Sequence, residues 1–163
     1  MQGWYALSLG SNRRHARYGS PERVLEAAFA RLDRKQVRLK ARSAIIRSRP
    51  LGPSRRHFAN AAALVETRFD PPRLLKRLKK IECQFGRQPG GARWSSRVLD
   101  LDIILWSGGA WATPELAVPH LAFRSRSFVL DPLATIAPRW RDPLTGLTIR
   151  QLKARLDRRR PAA

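Results

Sequence analysis

Two helix starts with the same chemistry partition this chain, and they restrict the folds open to it. Ser20-Pro21-Glu22 and Asp70-Pro71 each offer a side-chain acceptor at the N-cap and a proline at the first helical position, where its missing N–H is not needed. Behind the first, Val24, Leu25, Ala28, Phe29 and Leu32 recur at helical spacing. Behind the second, Leu74, Leu75, Leu78, Ile81 and Phe85 do so, up to a closing Gly86. Extended runs lie around these helices: Trp4 to Leu9 before the first, Val37 to Ser48 and Phe58 to Phe69 between them, and Val98 to Leu105 after the second. The order is β-α-β-β-α-β, which predicts an α+β, ferredoxin-like fold: an antiparallel sheet with helices packed on it. A C-terminal extension follows. Asp131 to Ala137 reads as a short helix ended by Pro138, Asp142 to Gly146 as a turn, and Thr148 as the cap of a last helix through Leu156, with a loose tail over residues 158–163.

The strand after the second helix carries the chemistry. Side chains alternate along a strand, so Val98, Asp100, Asp102 and Ile104 are expected on one face and Leu99, Leu101, Ile103 and Leu105 on the other. At about 3.3 Å per residue the two aspartate Cα atoms lie roughly 6.6 Å apart, close enough for their carboxylates to hold one or two Mg²⁺ against a polyphosphate. An isolated Asp-x-Asp is most often the wet face of a half-buried strand. Here aspartate is disfavoured by the strand itself, and both acids follow Arg87, Arg93 and Arg97 in a chain with only 12 acidic residues against 33 basic ones. Metal-binding carboxylates beside arginines point to phosphate chemistry. The connection from Arg87 to Arg97, centred on Pro89-Gly90-Gly91, has the length of a functional lid rather than of a tight turn. Glu82 stands near a helix C-terminus, against the macrodipole preference. A binding role and an ion pair with a nearby arginine are both open for it.

Composition limits the alternatives. With 163 residues the chain suits a single domain spanning 1–163, able to bury about 70% of its unfolded surface. Cys83 is the one cysteine, so an internal disulfide and a cysteine-based zinc site are excluded, and no H-E-x-x-H, Walker A or G-x-G-x-x-G pattern occurs. No apolar run reaches the length of a membrane span, and Trp4 to Leu9 lacks the features of a signal peptide, which leads us to expect a cytoplasmic protein. The net charge of +21 raises nucleic-acid binding as an alternative, in the form of a basic ferredoxin-like RNA-binding module. That module needs aromatic residues on its central strands. Leu99, Leu101, Ile103 and Leu105 are aliphatic, and the arginines are dispersed rather than blocked, so specific nucleic-acid recognition is not expected.

Gly86-Arg87, Arg93-Trp94 and Arg97-Val98-Leu99-Asp100-Leu101-Asp102-Ile103-Ile104-Leu105 together resemble the signature of the 6-hydroxymethyl-7,8-dihydropterin pyrophosphokinase family. Gly10-Ser11-Asn12 after the first strand, Pro50-Leu51-Gly52-Pro53 followed by Phe58 and Asn60, and Val118-Pro119-His120 followed by Arg126 and Phe128 resemble it further. The resemblance implies transfer of pyrophosphate from ATP to the hydroxymethyl group of a dihydropterin, with release of AMP, in folate biosynthesis. It implies two Mg²⁺ ions held by Asp100 and Asp102, and phosphate charge neutralised by Arg87 and Arg97. It implies ATP contacts from Glu82, Ile103, His120 and Arg126. It also implies a pterin pocket built from Ser48, Pro50, Leu51, Phe58, Asn60, Trp94 and Phe128. Arg55-Arg56 and Leu121 depart from the pattern, which leaves open a paralogue acting on a related pterin. A monomer acting on small molecules alone is expected, with no membrane partner.

Overall fold

A computed structural model describes residues 2–48, 56–86 and 98–160. The elements are β1 (Gly3–Ser11), α1 (Pro21–Leu32), β2 (Val37–Arg42), β3 (Ile46–Ser48), β4 (Phe58–Thr67), α2 (Pro71–Gln84), β5 (Asp100–Trp106), β6 (Trp111–Thr113), β7 (Leu116–Val118), α3 (Ser127–Ile136) and α4 (Ile149–Arg159), with a 3₁₀ turn over Phe123–Ser125 before α3. The main sheet has the order β2-β4-β1-β5, with β3 also paired to β4, and every pairing is antiparallel. This is the ferredoxin-like arrangement expected from the element order. The caps act as read: Ser20 accepts from the Arg23 N–H, Asp70 from the Arg73 N–H, and Thr148 forms a reciprocal capping box with Gln151. Gly86 ends α2 at a φ of 95°, a conformation that side chains rarely adopt.

The sheet is covered on both faces. Tyr5, Leu7 and Leu9 of β1, Ala61, Ala63 and Val65 of β4, and Leu101 and Ile103 of β5 pack under α1 and α2, forming the larger core. On the opposite face Ala6, Ala62 and Ile104 meet Phe123, Val129, Leu130 and Leu133, and α4 adds Ile149 and Leu152. An RNA-binding platform of this fold keeps one whole sheet face free of helices, whereas helices pack on both faces here. β5 is moreover an edge strand, so its aliphatic residues are not on the central pair, which is β4 and β1.

Several expectations are corrected. Alternation along β5 holds through Ile104 and fails at Leu105: Ala6 pairs with Leu105 while Leu7 pairs with Ile103, so Ile104 is an extra residue and Leu105 turns to the opposite face from Leu99, Leu101 and Ile103. Val98, which precedes the strand, packs against the larger core with Leu99 rather than on the aspartate face. The run Val37 to Ser48 is two strands. Between them the Ser43 hydroxyl accepts the Ala62 N–H, and the Ser43 N–H donates to the Ala62 carbonyl, which holds the break against β4. Gly10 and Ser11 belong to β1 rather than following it. The β6–β7 hairpin was not anticipated, and α3 begins at Ser127, four residues before Asp131. The tail is ordered further than expected, since α4 runs through Arg159 and the Arg160 guanidinium donates to the Ser127 hydroxyl.

Candidate active site

Pairing register brings the expected site residues together. Directly opposed residues of an antiparallel pair share a face. Asp100 pairs with Gly10, Gly10 with Asn60 and Asn60 with Ile46, so these four form one row across the sheet. Asp102, Ser8 and Ala62 form the next row. Both aspartates therefore face the same way, as alternation required, and they look toward the α3 side of the sheet. Gly10 leaves the space between Asp100 and Asn60 low, since a Cβ there would lie 3.4 Å from Asn60 Oδ1.

Asn60 is 3% exposed, although a strand asparagine could as well have faced water. Its Nδ2 donates to Ser48 Oγ at 2.7 Å, tying β4 to β3 next to Phe58, which pairs with Ser48. Phe128 packs against the cluster on this face, carried by α3, which lies on β4 and reaches β3. The Arg126 guanidinium sits 5.7 Å from the Phe128 ring centroid. Ser48, Phe58, Asn60, Arg126 and Phe128 thus share one side of the sheet with the aspartate pair. Pro50, Leu51, Arg87, Trp94 and Arg97 lie outside the described residues, as does the whole Arg87 to Arg97 connection.

At the open edge of β5 is a cavity of about 310 Å³, lined by Leu75, Lys79 and Glu82 of α2, Asp100 to Ile103 of β5, Glu115 to Ala117 of the hairpin, and His120 with Leu121. Glu82 is 2% exposed, and its Oε1 accepts the Leu101 N–H at 2.8 Å. Leu101 lies between the two aspartates, so the carboxylate occupies the outer edge of the strand just where they project. Because the Leu101 N–H turns away from β1, alternation turns the backbone groups of Ile103 to the same outer edge and into the cavity.

His120 joins the two regions. Its N–H donates to the carbonyl of the extra residue Ile104 at 3.0 Å, and its Nδ1 accepts the Ala122 N–H at 3.1 Å. An acceptor Nδ1 leaves the ring hydrogen on Nε2, a donor for whatever enters the cavity. Burial, aided by the Arg126 charge and opposed by Asp100, lowers the His120 pKa, which favours this neutral form at neutral pH.

The donor set fits a small hard cation. Two carboxylates one residue apart on a strand face suit Mg²⁺, which takes one or two carboxylates and completes its shell with phosphate and water. No cluster of three or more potential ligands occurs among the described residues, so an all-protein metal cage is not what they build. Reading the sequence missed the cavity's further walls. The signal for Leu75 and Lys79 was present in their helical spacing from Glu82, which stacks all three on one face of α2. Glu115 to Ala117 had no comparable signal, because their position depends on the hairpin folding back over β5.

A ferredoxin-like fold with paired aspartates on an edge strand, beside a cavity lined by a buried carboxylate and an imidazole, is an arrangement chemically suited to a polyanion paired with a cation. Residues 6–138 match the family 7,8-dihydro-6-hydroxymethylpterin-pyrophosphokinase, and the chain belongs to that family. It is 39% identical over 139 residues to the 2-amino-4-hydroxy-6-hydroxymethyldihydropteridine pyrophosphokinase of Pseudomonas aeruginosa, covering 84% of this chain and 82% of that one. With the protein of the same name from Methylorubrum extorquens it is 37% identical, covering 93% and 92%. The corresponding Synechocystis protein is 40% identical, but the match covers 68% of this chain and 56% of that one. Among solved structures, wild-type HPPK-DHPS of Plasmodium falciparum superimposes with a TM-score of 0.73 at 14% identity, over 95% of this chain and 44% of that one. No helix among the described residues is long and apolar enough to cross a membrane.

Proposed function

We propose that this chain transfers pyrophosphate from ATP to the hydroxymethyl group of 6-hydroxymethyl-7,8-dihydropterin, releasing AMP, as a step of folate biosynthesis. The observation that carries the reading is the common face of Asp100 and Asp102, set between the cavity at the β5 edge and the Asn60–Ser48 pair. Family membership supports the same reaction. The nucleotide would occupy the β5-edge cavity, with its base against the open backbone edge at Ile103 and between Leu75 and Leu116, and its phosphates toward Asp100, Asp102, His120 and Arg126. The pterin would lie across Gly10, its polar edge read by Asn60 and its ring between Phe58 and Phe128.

In the reaction the hydroxymethyl oxygen attacks the β-phosphorus in line as it loses its proton. The bond from that phosphorus to the oxygen bridging it to the α-phosphate breaks, and the bridging oxygen leaves on AMP. No covalent bond to the protein is required, so catalysis rests on alignment and charge stabilisation. Mg²⁺, two ions on this reading and held by Asp100 and Asp102, would supply positive charge to the polyphosphate. Glu82 fixes the β5 edge between the two aspartates, and His120 Nε2 offers a neutral donor. Arg87 and Arg97 are assigned to the transferred phosphates and Trp94 to closure over the pterin, on the family resemblance. The chain would act in the cytoplasm as one domain and as a monomer. Incubation with Mg-ATP and the hydroxymethyl pterin tests the reading. Equimolar AMP and pterin diphosphate are expected; ADP, or AMP formed equally without pterin, would contradict it.

A further inference from the structure

The segment from His120 to Phe128 carries three of the proposed substrate contacts: His120, Arg126 and Phe128. Its first residue is fixed to β5 through the Ile104 carbonyl. Its middle is fixed by Arg124. The guanidinium Nε donates to Asp142 Oδ2 at 2.6 Å and one terminal nitrogen to Oδ1 at 2.9 Å, the paired geometry in which arginine orients a carboxylate best. Asp142 is fully buried, and its side chain takes two further hydrogen bonds within its own turn, from the Thr145 hydroxyl at 2.7 Å and the Leu144 N–H at 3.0 Å. The turn is itself closed by the Gly146 N–H on the Asp142 carbonyl and the Asp142 N–H on the Leu147 carbonyl. On the other side Arg124 lies 4.7 Å from the centroid of the fully buried Phe123 ring. A buried, four-times hydrogen-bonded carboxylate on a closed turn is a rigid anchor, and the arginine that reaches it is two residues from Arg126 and four from Phe128.

Arg126 caps α3 without any side-chain hydrogen bond of its own to the helix; its carbonyl accepts the Val129 and Leu130 N–H groups, and its N–H donates to the Phe123 carbonyl, which ties it to the 3₁₀ turn that precedes it. Arg126 follows His120 on the same segment, and its guanidinium lies 5.7 Å from the Phe128 ring centroid, so the two proposed contacts move together. We propose that Arg124 and Asp142 are positioning residues for the nucleotide and pterin contacts, holding Arg126 and Phe128 at the site by clamping the 3₁₀ turn to the 142–147 turn. This rests on the pyrophosphokinase reading above. The role is distinct from ordinary core stability, because the clamp is on the loop side of α3, whereas the apolar contacts of α3 and α4 already hold the helix to the sheet.

Steady-state kinetics for both substrates, alongside thermal melting, test the proposal on Arg124→Lys, Asp142→Asn and a control, Leu152→Ala, which loosens the same apolar cluster without touching the clamp. Misplacing substrate contacts by about an ångström lowers kcat/KM on the order of 10- to 100-fold. For Asp142→Asn a loss of that size is expected, carried mainly by higher KM for both ATP and pterin. Arg124→Lys, which keeps the charge opposite Asp142 but loses the paired geometry, should fall between it and wild type, and should fold even if Asp142→Asn does not. Leu152→Ala should melt lower with its KM values unchanged. Clamp variants within twofold of wild type in kcat/KM, or raising KM no more than Leu152→Ala does, would overturn the clamp alone. A wild-type protein without pterin-dependent AMP release would overturn the pyrophosphokinase reading and the clamp's role with it.

Discussion

Replacing Glu82 by alanine removes the carboxylate that accepts the Leu101 N–H at 2.8 Å on a strand residue only 3% exposed. Losing that acceptor leaves a buried N–H without its partner at the outer edge of β5, where β1 cannot supply another. The cost is about 1–3 kcal/mol, which lowers the melting temperature by roughly 2–4 °C per kcal/mol in a chain of this size. Glu82→Gln retains an oxygen at the same reach, so it should stay within about 1 kcal/mol of wild type. Amide exchange at Leu101, read by NMR alongside calorimetry, should accelerate in the alanine variant and hold in the glutamine variant. Turnover separates two roles. If Glu82 acts by fixing the strand between Asp100 and Asp102, glutamine keeps most of the activity and alanine loses it; if its negative charge is what matters, both lose it equally. An alanine variant with unchanged melting and unchanged Leu101 protection would refute the edge-fixing argument.

Other consequences follow from particular contacts. A Cβ on Gly108 would lie 2.2 Å from the Trp106 ring, which is itself held between Tyr5 and Trp111, so Gly108→Ala should cost about 1–3 kcal/mol in calorimetry. Burial alone would raise the Asp142 pKa, but hydrogen bonds from Arg124, Thr145 and the Leu144 N–H, with the Arg124 charge, hold it below the ordinary carboxylate range. Its contribution to stability is therefore complete above the unfolded value of about 4 and drains away as pH falls through the lower folded value. Acid melting curves of Asp142→Asn should accordingly be flatter than wild type in that window. The +21 charge should give only weak, sequence-indifferent nucleic-acid binding that falls on the order of 10²-fold or more from about 50 to about 200 mM salt; tight, sequence-selective RNA binding at physiological salt would contradict the enzyme reading.

Much of the site was legible because its determinants are local. The shared face of Asp100 and Asp102 needs only the two-residue period, as does that of Phe58 and Asn60, and the caps at Ser20, Asp70 and Thr148 act within their own first turns. What could not be read depends on partners distant in sequence. The extra residue at Ile104 arises from how β5 meets Ala6 and Leu7, and it alone sends Leu105 to the wrong side of a period-two count. Glu82 could be marked as misplaced for a helix end, but that its carboxylate accepts a strand N–H depends on how α2 packs against β5. Arg158 and Arg159 look like a solvated tail in a basic sequence, yet α4 extends through them and Arg160 reaches Ser127. Tyr5, buried and donating to the Phe69 carbonyl at 2.6 Å, shows the same limit, since an apolar run says nothing of where its one hydroxyl will go.

The account centres on the aspartate pair as the cation-holding side of a pyrophosphate transfer. Its most direct test is AMP release, measured across a Mg²⁺ titration with saturating ATP and hydroxymethyl pterin, for wild type, Asp100→Asn and Asp102→Asn. Removing one preorganised electrostatic group from a reacting phosphate should reduce turnover on the order of 10²-fold or more, and half-maximal activity in each variant should require more Mg²⁺, with melting temperatures near wild type. An Asp102→Asn protein that keeps both the wild-type rate and the wild-type Mg²⁺ dependence would contradict the account.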